Sequence, residues 1–265
     1  MNGKEGRRYI HNEAAELYER ARPLYPEALF GDIIRYAGLR KNARILEIGC
    51  GTGQATLPLA KRGYAIDCVE PGERMASIAS AKLAAYPKAA VACTDFESYA
   101  HPPASYDLIL SATAFHWLDP RIRFRKAHHL LKPGGALALF WHRPTQTDAS
   151  RDVVQALQTV YREIAPELAD GYEIPPSPEL VATEYDQLIP ASGYFTDLEI
   201  RKRYVATEYS ARSYADLLST FSDHRKLDTR RRRQLLSSIE RLINLRFAGA
   251  IIRETVALLY LARRA

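Results

Sequence analysis

The sequence predicts an α/β protein built on a doubly wound, mostly parallel sheet of seven strands with a late antiparallel strand. Three observations carry this prediction. Short apolar runs alternate with amphipathic helical patterns through the first 142 residues, a glycine-rich turn follows the first such run, and two further strand-like runs come late in the chain. Repeated strand–helix–strand units favour parallel pairing with right-handed crossovers. A length of 265 residues, of which 47% are apolar, allows one large domain.

Five apolar runs in the front part of the chain are predicted as buried strands. The first is followed by a helix in which Pro58 still lies in the first turn, where a missing N–H is tolerated. In the helix after the fourth strand we predict Asp119 as N-cap, with Pro120 at the first helical position. The predicted strands cover residues 43–49, 64–70, 89–94, 106–114 and 136–142.

The pattern changes after Trp141. Helical segments are predicted within residues 148–192 and 210–247, and a proline-rich loop at 171–180 interrupts the first of them. Two closing strands are predicted at 193–209 and 250–262. The economical arrangement is one sheet whose last strands come late, with the helical segments inserted as a cap.

Charge and cysteine content favour a cytoplasmic protein. The net charge of +6 permits acidic partners without implying nucleic acid. The three cysteines include no Cys-x-x-Cys pair, and we expect reduced thiols. The N-terminal stretch is polar and lacks the apolar region of a signal peptide, and no apolar run approaches the ~20 residues of a membrane span.

The stretch ILEIGCGTGQATLPLA, residues 45–60, predicts a ligand-binding turn. Gly49, Gly51 and Gly53 are costly to order, so three glycines so close together suggest that the backbone there has a task. Free N–H groups and the positive end of a helix dipole suit a negative or strongly polar ligand. Gln54 stands where a dinucleotide fingerprint would have its next glycine, so that match is imperfect.

Glu70 ends the second strand, about 20 residues after the turn begins, where a carboxylate can accept hydrogen bonds from both hydroxyls of a ribose. The plainer interpretation is a tight strand–helix turn with Glu70 as a surface cap. Turn, strand and acid occur in the right order for the ligand interpretation, which we therefore prefer.

Six segments together resemble the class I S-adenosylmethionine-dependent methyltransferases. The resemblance covers residues 14–143 closely. Within this class, the chain resembles the small-molecule branch that includes trans-aconitate methyltransferases. It implies a Rossmann-like fold with an N-terminal helical lid (1–30), a cofactor-binding core (31–147) and an acceptor-side cap (148–192 and 210–247). The segments are LEIGCGTG, VEPGERM, CTDFES, YDLILSATAFHWLD, HHLLKPGGALALFW and, near the N-terminus, YERARPLYP.

The resemblance also implies site residues. The three glycines would pass under the methionine moiety, Glu70 would bind the ribose, Asp95 would accept from the adenine amino group, and Phe96 would pack beside the ring. Ser111 and Ala112 would lie under the sulfonium. Tyr18 and Arg22 would close over the cofactor, although a helix with solvated charges on the sheet edge is an alternative there. The implied cofactor residues are Tyr18, Arg22, Gly49, Cys50, Gly51, Gly53, Gln54, Glu70, Pro71, Met75, Asp95, Phe96, Ser111, Ala112 and His116.

The acceptor side is less defined. His116 follows the fourth strand and is a candidate base for a hydroxyl or phenol; the alternative is that it shapes the cofactor site. Trp117 and His142 are predicted for the substrate pocket, and a carboxylate acceptor would need no base. We expect no metal, because the neighbouring His128 and His129 point in different directions on a helix.

The sequence therefore predicts methyl transfer from S-adenosylmethionine to a small molecule by a monomer or homodimer. Oxygen or carboxylate is favoured over nitrogen, because no Asn/Asp-Pro-Pro-Tyr/Phe segment follows the fourth strand. An RNA methyltransferase is the alternative, based on the run Arg230–Arg233, which a solvated helix face also explains. A non-catalytic cofactor-binding module and a nicotinamide-dependent oxidoreductase are further alternatives.

Overall fold

The computed structural model of this chain describes residues 12–170 and 174–265. Residues 1–11 of the predicted lid and residues 171–173 of the proline-rich loop lie outside the described residues. Within the described ranges, no helix is both long and apolar enough to cross a membrane. In chain order the elements are α1 Ala15–Ala21, α2 Glu27–Ala37, β1 Arg44–Ile48, α3 Thr56–Ala60, β2 Ala65–Val69, α4 Glu73–Leu83, β3 Ala89–Ala92, β4 Tyr106–Ala112, α5 Arg123–Leu130, β5 Leu131–Pro144, α6 Arg151–Ile164, α7 Pro166–Ala169, α8 Tyr185–Ala191, β6 Phe195–Ser210, α9 Ala211–Ser219, α10 Ser222–Lys226, α11 Thr229–Arg246 and β7 Ala250–Arg264.

All seven strands form one sheet, in the order β3-β2-β1-β4-β5-β7-β6. The strands from β3 to β5 pair in parallel, whereas β7 runs antiparallel to both β5 and β6. Thr255 pairs with Pro144, so the first residues of β7 lie at the edge where the parallel strands end. The predicted α/β fold, with its mostly parallel seven-stranded sheet and late antiparallel strand, is confirmed.

Helices cover both faces of the sheet. On one face, Phe30 of α2 packs against Phe140 of β5, with ring centroids 6.3 Å apart. On the other face, Tyr185 of α8 stacks on Trp141 of β5 at 4.7 Å, beside Phe124 of α5. Helix α8 therefore packs on the sheet, although its residues fall within the segment 148–192 that we predicted as cap.

A separate core holds the remaining late helices together. Leu217 of α9 and the i, i+4, i+8 stripe of Leu235, Ile239 and Ile243 on α11 are fully buried in it, and Leu157 of α6 joins them. We call α6, α7, α9, α10 and α11 the cap. Because the cap has its own apolar core, it can cover the carboxyl edge of the sheet without contributing to the sheet layers.

The N-cap prediction for Asp119 is wrong. Helix α5 begins at Arg123, one turn later than predicted. Asp119 instead stabilises a preceding turn: its Oδ1 accepts from the Arg121 N–H at 2.9 Å, and its carbonyl oxygen accepts from the N–H groups of Ile122 and Arg123 at 3.0 Å. The Asp119 N–H is bound by Glu97 Oε1 at 2.9 Å, which holds this turn against the loop after β3.

Candidate functional site

A cavity of about 330 Å³, which we call the first cavity, opens at the carboxyl edge of the sheet. It lies beside β1, which has β2 on one side and β4 on the other, the position at which open α/β sheets bind ligands. Helix α1 and residues 221–223 of the cap close over it. The predicted site residues in its wall are Tyr18, Arg22, Gly49, Gly51, Glu70, Pro71, Met75, Asp95, Phe96, Ala112, His116 and Trp117.

The three glycines of the loop after β1 have different tasks. All have positive φ, with 67° at Gly49, 56° at Gly51 and 78° at Gly53, a region that favours glycine. A Cβ on Gly49 would lie 2.4 Å from the Ala114 Cβ, so close packing requires glycine there. A Cβ on Gly53 would lie 3.5 Å from the Ala79 Cβ of α4, outside the cavity wall. A Cβ on Gly51 would meet nothing within 4 Å, so this residue leaves open space at the cavity wall.

The carboxylate of Glu70 is fixed against this loop. Its Oε2 accepts from the Gly51 N–H and its Oε1 from the Gly72 N–H, each at 2.9 Å. Burial raises the pKa of Glu70, and the two N–H donors oppose that rise because they stabilise the ionised form. A carboxylate oxygen accepts more than one hydrogen bond, so Glu70 is held in place and can still bind a ligand in the first cavity.

The loop after β3 brings an acid and an aromatic ring to the same wall. Asp95 Oδ1 accepts from the Ser98 N–H at 2.7 Å, in a turn that fixes the carboxylate. Phe96 is buried, and the Nζ of Lys126 lies 5.2 Å from its ring centroid. This pair gives the first cavity a polar and a flat apolar surface side by side.

Ser111, like Gly53, does not reach the first cavity. Ser111 is fully buried, and its Oγ donates to the Ile48 carbonyl at 2.8 Å, so the hydroxyl joins β4 to β1. Two other predicted residues, Cys50 and Gln54, line a neighbouring cavity instead. Gln54 Nε2 donates to the Glu19 carbonyl at 3.3 Å and so connects the glycine loop to α1.

This second cavity, of about 230 Å³, adjoins the first. The interaction with the Cys68 thiol, together with burial, raises the pKa of the Cys50 thiol well above its usual value, so Cys50 stays protonated. The second cavity also has Tyr25, His142 and Arg253 in its wall. Residues shared by the walls of both cavities are Tyr18, Arg22, Gly49, Gly51, Ala112, Thr113 and Phe221.

Arg22 lies in the common wall and joins α1 to the cap. Its Nε donates to Thr220 Oγ1 at 2.8 Å and its Nη2 to the Thr220 carbonyl at 3.1 Å, across 198 residues of sequence. The guanidinium carbon lies 5.0 Å from the ring centroid of Tyr18 and 4.5 Å from that of Phe221. Burial lowers the pKa of Arg22, but a guanidinium remains charged in proteins.

His116 is oriented by a hydrogen bond that bears on its predicted role. Trp141 Nε1 carries a proton and donates it to His116 Nδ1 at 3.2 Å, so the neutral imidazole has its own proton on Nε2. Although solvent reaches the ring through the cavity, desolvation by the surrounding protein lowers the pKa of His116 to about 4. A neutral imidazole with Nδ1 occupied and Nε2 protonated is a hydrogen-bond donor and is poorly suited as a base.

His142 lies in the wall of the second cavity. Its ring stacks on Tyr25 with centroids 4.6 Å apart, and its Nδ1 is 3.3 Å from Thr255 Oγ1. Burial first, and then the positive charge of Arg253, lowers the pKa of His142 to about 4. His142 is therefore neutral near pH 7, in a positive local potential.

The sequence analysis missed Glu47, which lies beneath the glycine loop in β1. Glu47 is fully buried, and Thr56 Oγ1 donates to its Oε2 at 2.6 Å. Burial raises the pKa of Glu47 to about 8. A lone acid inside the apolar strand RILEI was the available signal, because a buried carboxyl group needs a specific partner.

Residues contributed by the cap and by β7 were also missed. Phe221 and Asp223 close the first cavity, and Arg253 lines the second. Arg253 could have been found, because an antiparallel strand starts at the edge where the parallel strands end. Nothing in the spacing of the sequence indicates Phe221 or Asp223.

Comparisons with known proteins agree with this geometry. Residues 45–135 match a protein-family model described as a methyltransferase domain. The chain is 35% identical over 130 residues to an uncharacterized methyltransferase of Mycobacterium tuberculosis strain ATCC 25618 / H37Rv, a match that covers 49% of this chain and 50% of that protein. It is 36% identical over 104 residues to malonyl-(acyl-carrier protein) O-methyltransferase 1 of Ilyobacter polytropus, covering 38% of each. The chain thus spans about half the length, or less, of these relatives.

A solved structure resembles the chain along most of its length. It comes from Anaeromyxobacter dehalogenans, is provisionally described as a type II methyltransferase, and has a TM-score of 0.66 at 25% identity, covering 91% of this chain and 97% of that one. These matches identify residues 45–135 as a methyltransferase domain, a class of domain that uses S-adenosylmethionine as its cofactor. The narrower resemblance to trans-aconitate methyltransferases stays a prediction.

Proposed function

We propose that this chain transfers the methyl group of S-adenosylmethionine to a small molecule, at oxygen or carboxylate rather than nitrogen. One observation carries the proposal. The Gly51 N–H that binds Glu70 Oε2 belongs to the same residue whose missing side chain leaves open space at the wall of the first cavity. Glu70, to which we assign the ribose, is therefore bonded directly to the part of the loop that a ligand can approach.

The residues of the first cavity fit the cofactor from one end to the other. We propose that Asp95 and Phe96 hold the adenine, that Glu70 accepts from the ribose hydroxyls, and that Arg22 pairs with the carboxylate. The open space at Gly51 lets the methionine moiety pass close to the backbone. Helix α1 and the cap together would serve as the cover, since Arg22 joins them through Thr220.

The cofactor, when bound, supplies a methyl group on a sulfonium, which is already a good leaving group. The chain then has to align the acceptor and exclude water. His116 would donate a hydrogen bond from Nε2 and remove no proton, because its Nδ1 is occupied by Trp141 Nε1–H. An acceptor that is already ionised, such as a carboxylate, fits this arrangement because it needs no base.

RNA is the alternative acceptor, and the run Arg230–Arg233 is its basis. Arg231 donates to the Ile164 carbonyl at 2.9 Å and pairs with Glu167 at 2.7 Å, so it serves to hold the cap together. Arg230 and Arg233 are exposed on α11, which contributes no residue to the walls of the first and second cavities. This placement favours a small molecule.

Ligand binding and turnover test the proposal. S-adenosylhomocysteine at 100 times its dissociation constant should stabilise the fold by about 2.7 kcal/mol, and NADH should not. Glu70→Ala should weaken S-adenosylhomocysteine binding by about 1–3 kcal/mol through the loss of a charged acceptor, whereas the exposed Glu73→Ala should not. Labelled methyl transfer to a panel of metabolites then identifies the acceptor.

Three outcomes separate the alternatives. Stabilisation by NADH and not by S-adenosylhomocysteine would contradict the proposed cofactor. Binding of S-adenosylhomocysteine without transfer to any acceptor would favour a non-catalytic module. Unchanged affinity in Glu70→Ala would remove Glu70 from the site.

A further inference from the structure

Arg253 of β7 is a cation without a polar partner. Within the part of the chain that the structure describes, its guanidinium makes no hydrogen bond and no salt bridge. Its charge contacts the ring of Phe221, with 5.8 Å between the guanidinium carbon and the ring centroid. The side chain is half-buried, and a partly desolvated cation in a cavity wall gains free energy when an anion pairs with it.

The direction of β7 explains where this cation lies. Because β7 runs antiparallel to β5, its fourth residue, Arg253, reaches the carboxyl edge of the parallel strands. There Arg253 lines the second cavity and also a third, about 270 Å³ in volume, which we call the cap cavity. Phe221 lines the first, second and cap cavities, so all three meet at this ring.

The cap cavity is apolar over most of its wall. Its apolar lining includes Val153, Val154, Leu157, Leu218 and Ile251. Cavities of this kind bind apolar ligands and use a few polar groups to orient them.

The other charged groups at the cap cavity are already bonded. Glu254 Oε2 accepts from the Thr147 N–H at 2.8 Å and from Ser150 Oγ. Burial raises the pKa of Glu254, but these hydrogen bonds outweigh burial, so the pKa is lowered. His224 contacts Tyr161 through Nε2 at 2.7 Å and Asp223 through Nδ1 at 2.8 Å. Among the described lining residues, Arg253 is thus the charge that remains available to a ligand.

The second cavity has a charge that suits an anion. Arg22 and Arg253 both lie in its wall, and no Asp or Glu is found among its described lining residues. Burial is the largest cause of the lowered pKa of His142, and the positive charges of Arg253 and Arg22 lower it further. A negative group that enters this cavity meets the guanidinium of Arg253, and no Asp or Glu among the described lining residues competes for it.

We propose that the acceptor is an apolar acid whose anionic group pairs with Arg253 and whose apolar body lies in the cap cavity. The inference deepens the proposed function and rests on it. A carboxylate and a phosphate share the chemistry that a guanidinium recognises, since both accept two parallel hydrogen bonds. Arg22 is left for the cofactor carboxylate, because it lies in the common wall of the first and second cavities.

Binding of simple amphiphiles tests the proposal. Decanoate, decyl phosphate and decan-1-ol are titrated into the protein saturated with S-adenosylhomocysteine, and each affinity is measured by calorimetry. We expect at least one of the two anions to bind ten or more times more tightly than the neutral alcohol. Comparing decanoate with decyl phosphate shows which anionic group the cavity accepts.

Arg253→Ala should weaken binding of the preferred anion by about tenfold or more, because the charged hydrogen bonds are lost. Its affinity for decan-1-ol and for S-adenosylhomocysteine should stay within about twofold. Arg253→Lys should be intermediate, since a lysine keeps the charge but not the bidentate geometry. The matched control is Arg230→Ala, which removes the same charge from the exposed face of α11 and should change nothing.

A chain-length series in the unaltered protein tests the apolar half and does not depend on the folding of a variant. From butanoate to decanoate, affinity should rise by up to about fourfold for each added methylene. Equal affinity across the series would overturn the assignment of the cap cavity.

Other outcomes would overturn the anion assignment. These are equal binding of anion and alcohol, unchanged anion binding in Arg253→Ala, and weaker S-adenosylhomocysteine binding in Arg253→Ala, which would give Arg253 to the cofactor. The titrations are repeated without S-adenosylhomocysteine. Failure to bind S-adenosylhomocysteine would contradict the proposed function, and the anion titrations would still decide the role of Arg253.

Discussion

The first and second cavities share the glycine loop as a wall but differ in charge. The second has Arg22, Arg253 and, among its described lining residues, no carboxylate. The first also contacts Arg22, but its wall is rich in acids, namely Glu70, Asp95, Glu97 and Asp223. A single loop therefore separates a region suited to hydroxyl and amino groups from a region suited to an anion.

The two cavities also differ in how they are built. The first uses loops that directly follow parallel strands, so backbone N–H groups such as that of Gly51 position its key acid. The second depends on side chains from α1, the cap and β7, such as Arg253, whose neighbours are far away in sequence. The comparison shows that the cavity assigned to the constant cofactor is built from loops directly after neighbouring strands. The cavity facing the variable acceptor is built from residues that are far apart in the sequence.

Substitution of the shared wall should have the largest effect. Gly51→Val should weaken S-adenosylhomocysteine binding by about 100-fold or more, because the new side chain fills the open space at the loop. The fold should survive, with a loss of unfolding free energy of about 1–2 kcal/mol from the positive φ of 56°. Affinity is measured by calorimetry, and stability by denaturant unfolding.

Gly49→Ala is the companion variant. Its Cβ would lie 2.4 Å from the Ala114 Cβ, so we expect a larger loss of unfolding free energy, about 2–4 kcal/mol. If Gly51→Val bound S-adenosylhomocysteine normally, the loop would face away from the ligand. The glycine loop would then not be a wall shared by the cofactor and acceptor sites.

His116→Asn sharpens the assignment of the first cavity. An amide oxygen can still accept from Trp141 Nε1, and we expect the methyl-transfer rate to fall by less than about tenfold. With a pKa of about 4 for His116, the rate should also be flat between pH 6 and 8. A fall of about 10²–10⁴ would instead identify His116 as a general base.

Stability should respond to pH through the two histidines. His116 and His142 have pKa values of about 4 in the folded protein, below the ordinary 6.5. Between these pH values the unfolded chain binds more protons, so the free energy of unfolding should rise with pH and level off above about 6.5. The double variant His116→Gln/His142→Gln should show a smaller rise between pH 5 and 7.5, and an equal rise would show that other groups cause it.

The smallest effect is expected far from both cavities. Arg231→Gln should lower the free energy of unfolding by about 1 kcal/mol, because it removes an exposed ion pair with Glu167 and the hydrogen bond to the Ile164 carbonyl. Arg230→Gln should leave stability unchanged. Methyl transfer to a small molecule should persist in both, and a large loss of RNA affinity would revive the nucleic-acid alternative.

The fold was predictable because its signals are local. The runs at 64–70 and 106–114 became β2 and β4 with ends shifted by at most two residues, since a buried parallel strand is a short continuous apolar segment. Helix α8 was assigned to the cap, but it packs on the sheet. An amphipathic pattern indicates that one face of a helix is buried, but it does not indicate which element covers that face. The start of helix α5 was predicted one turn too early, because an Asp-Pro pair such as that at Asp119 begins turns as readily as helices.

The site was predictable where backbone geometry decides it. Glu70 and Gly51 lie together because adjacent strands end together. Ser111 was assigned to the ligand because it lies near the carboxyl end of β4, but its hydroxyl donates to the Ile48 carbonyl. The contact of Arg22 with Thr220 had no signal, since spacing cannot report a contact across 198 residues.

Because β7 is paired on both sides, its register is fixed, and this keeps the positively charged side chain of Arg253 in the wall of the second cavity. Arg253 is flanked in sequence by Ile252 and Glu254, and in a strand each single-residue step turns a side chain to the opposite face. A shift of β7 by one position would therefore present a hydrocarbon or an acid where the guanidinium now stands. Two hydrogen-bonded ladders, one with β5 and one with β6, would have to break together for that reversal to occur.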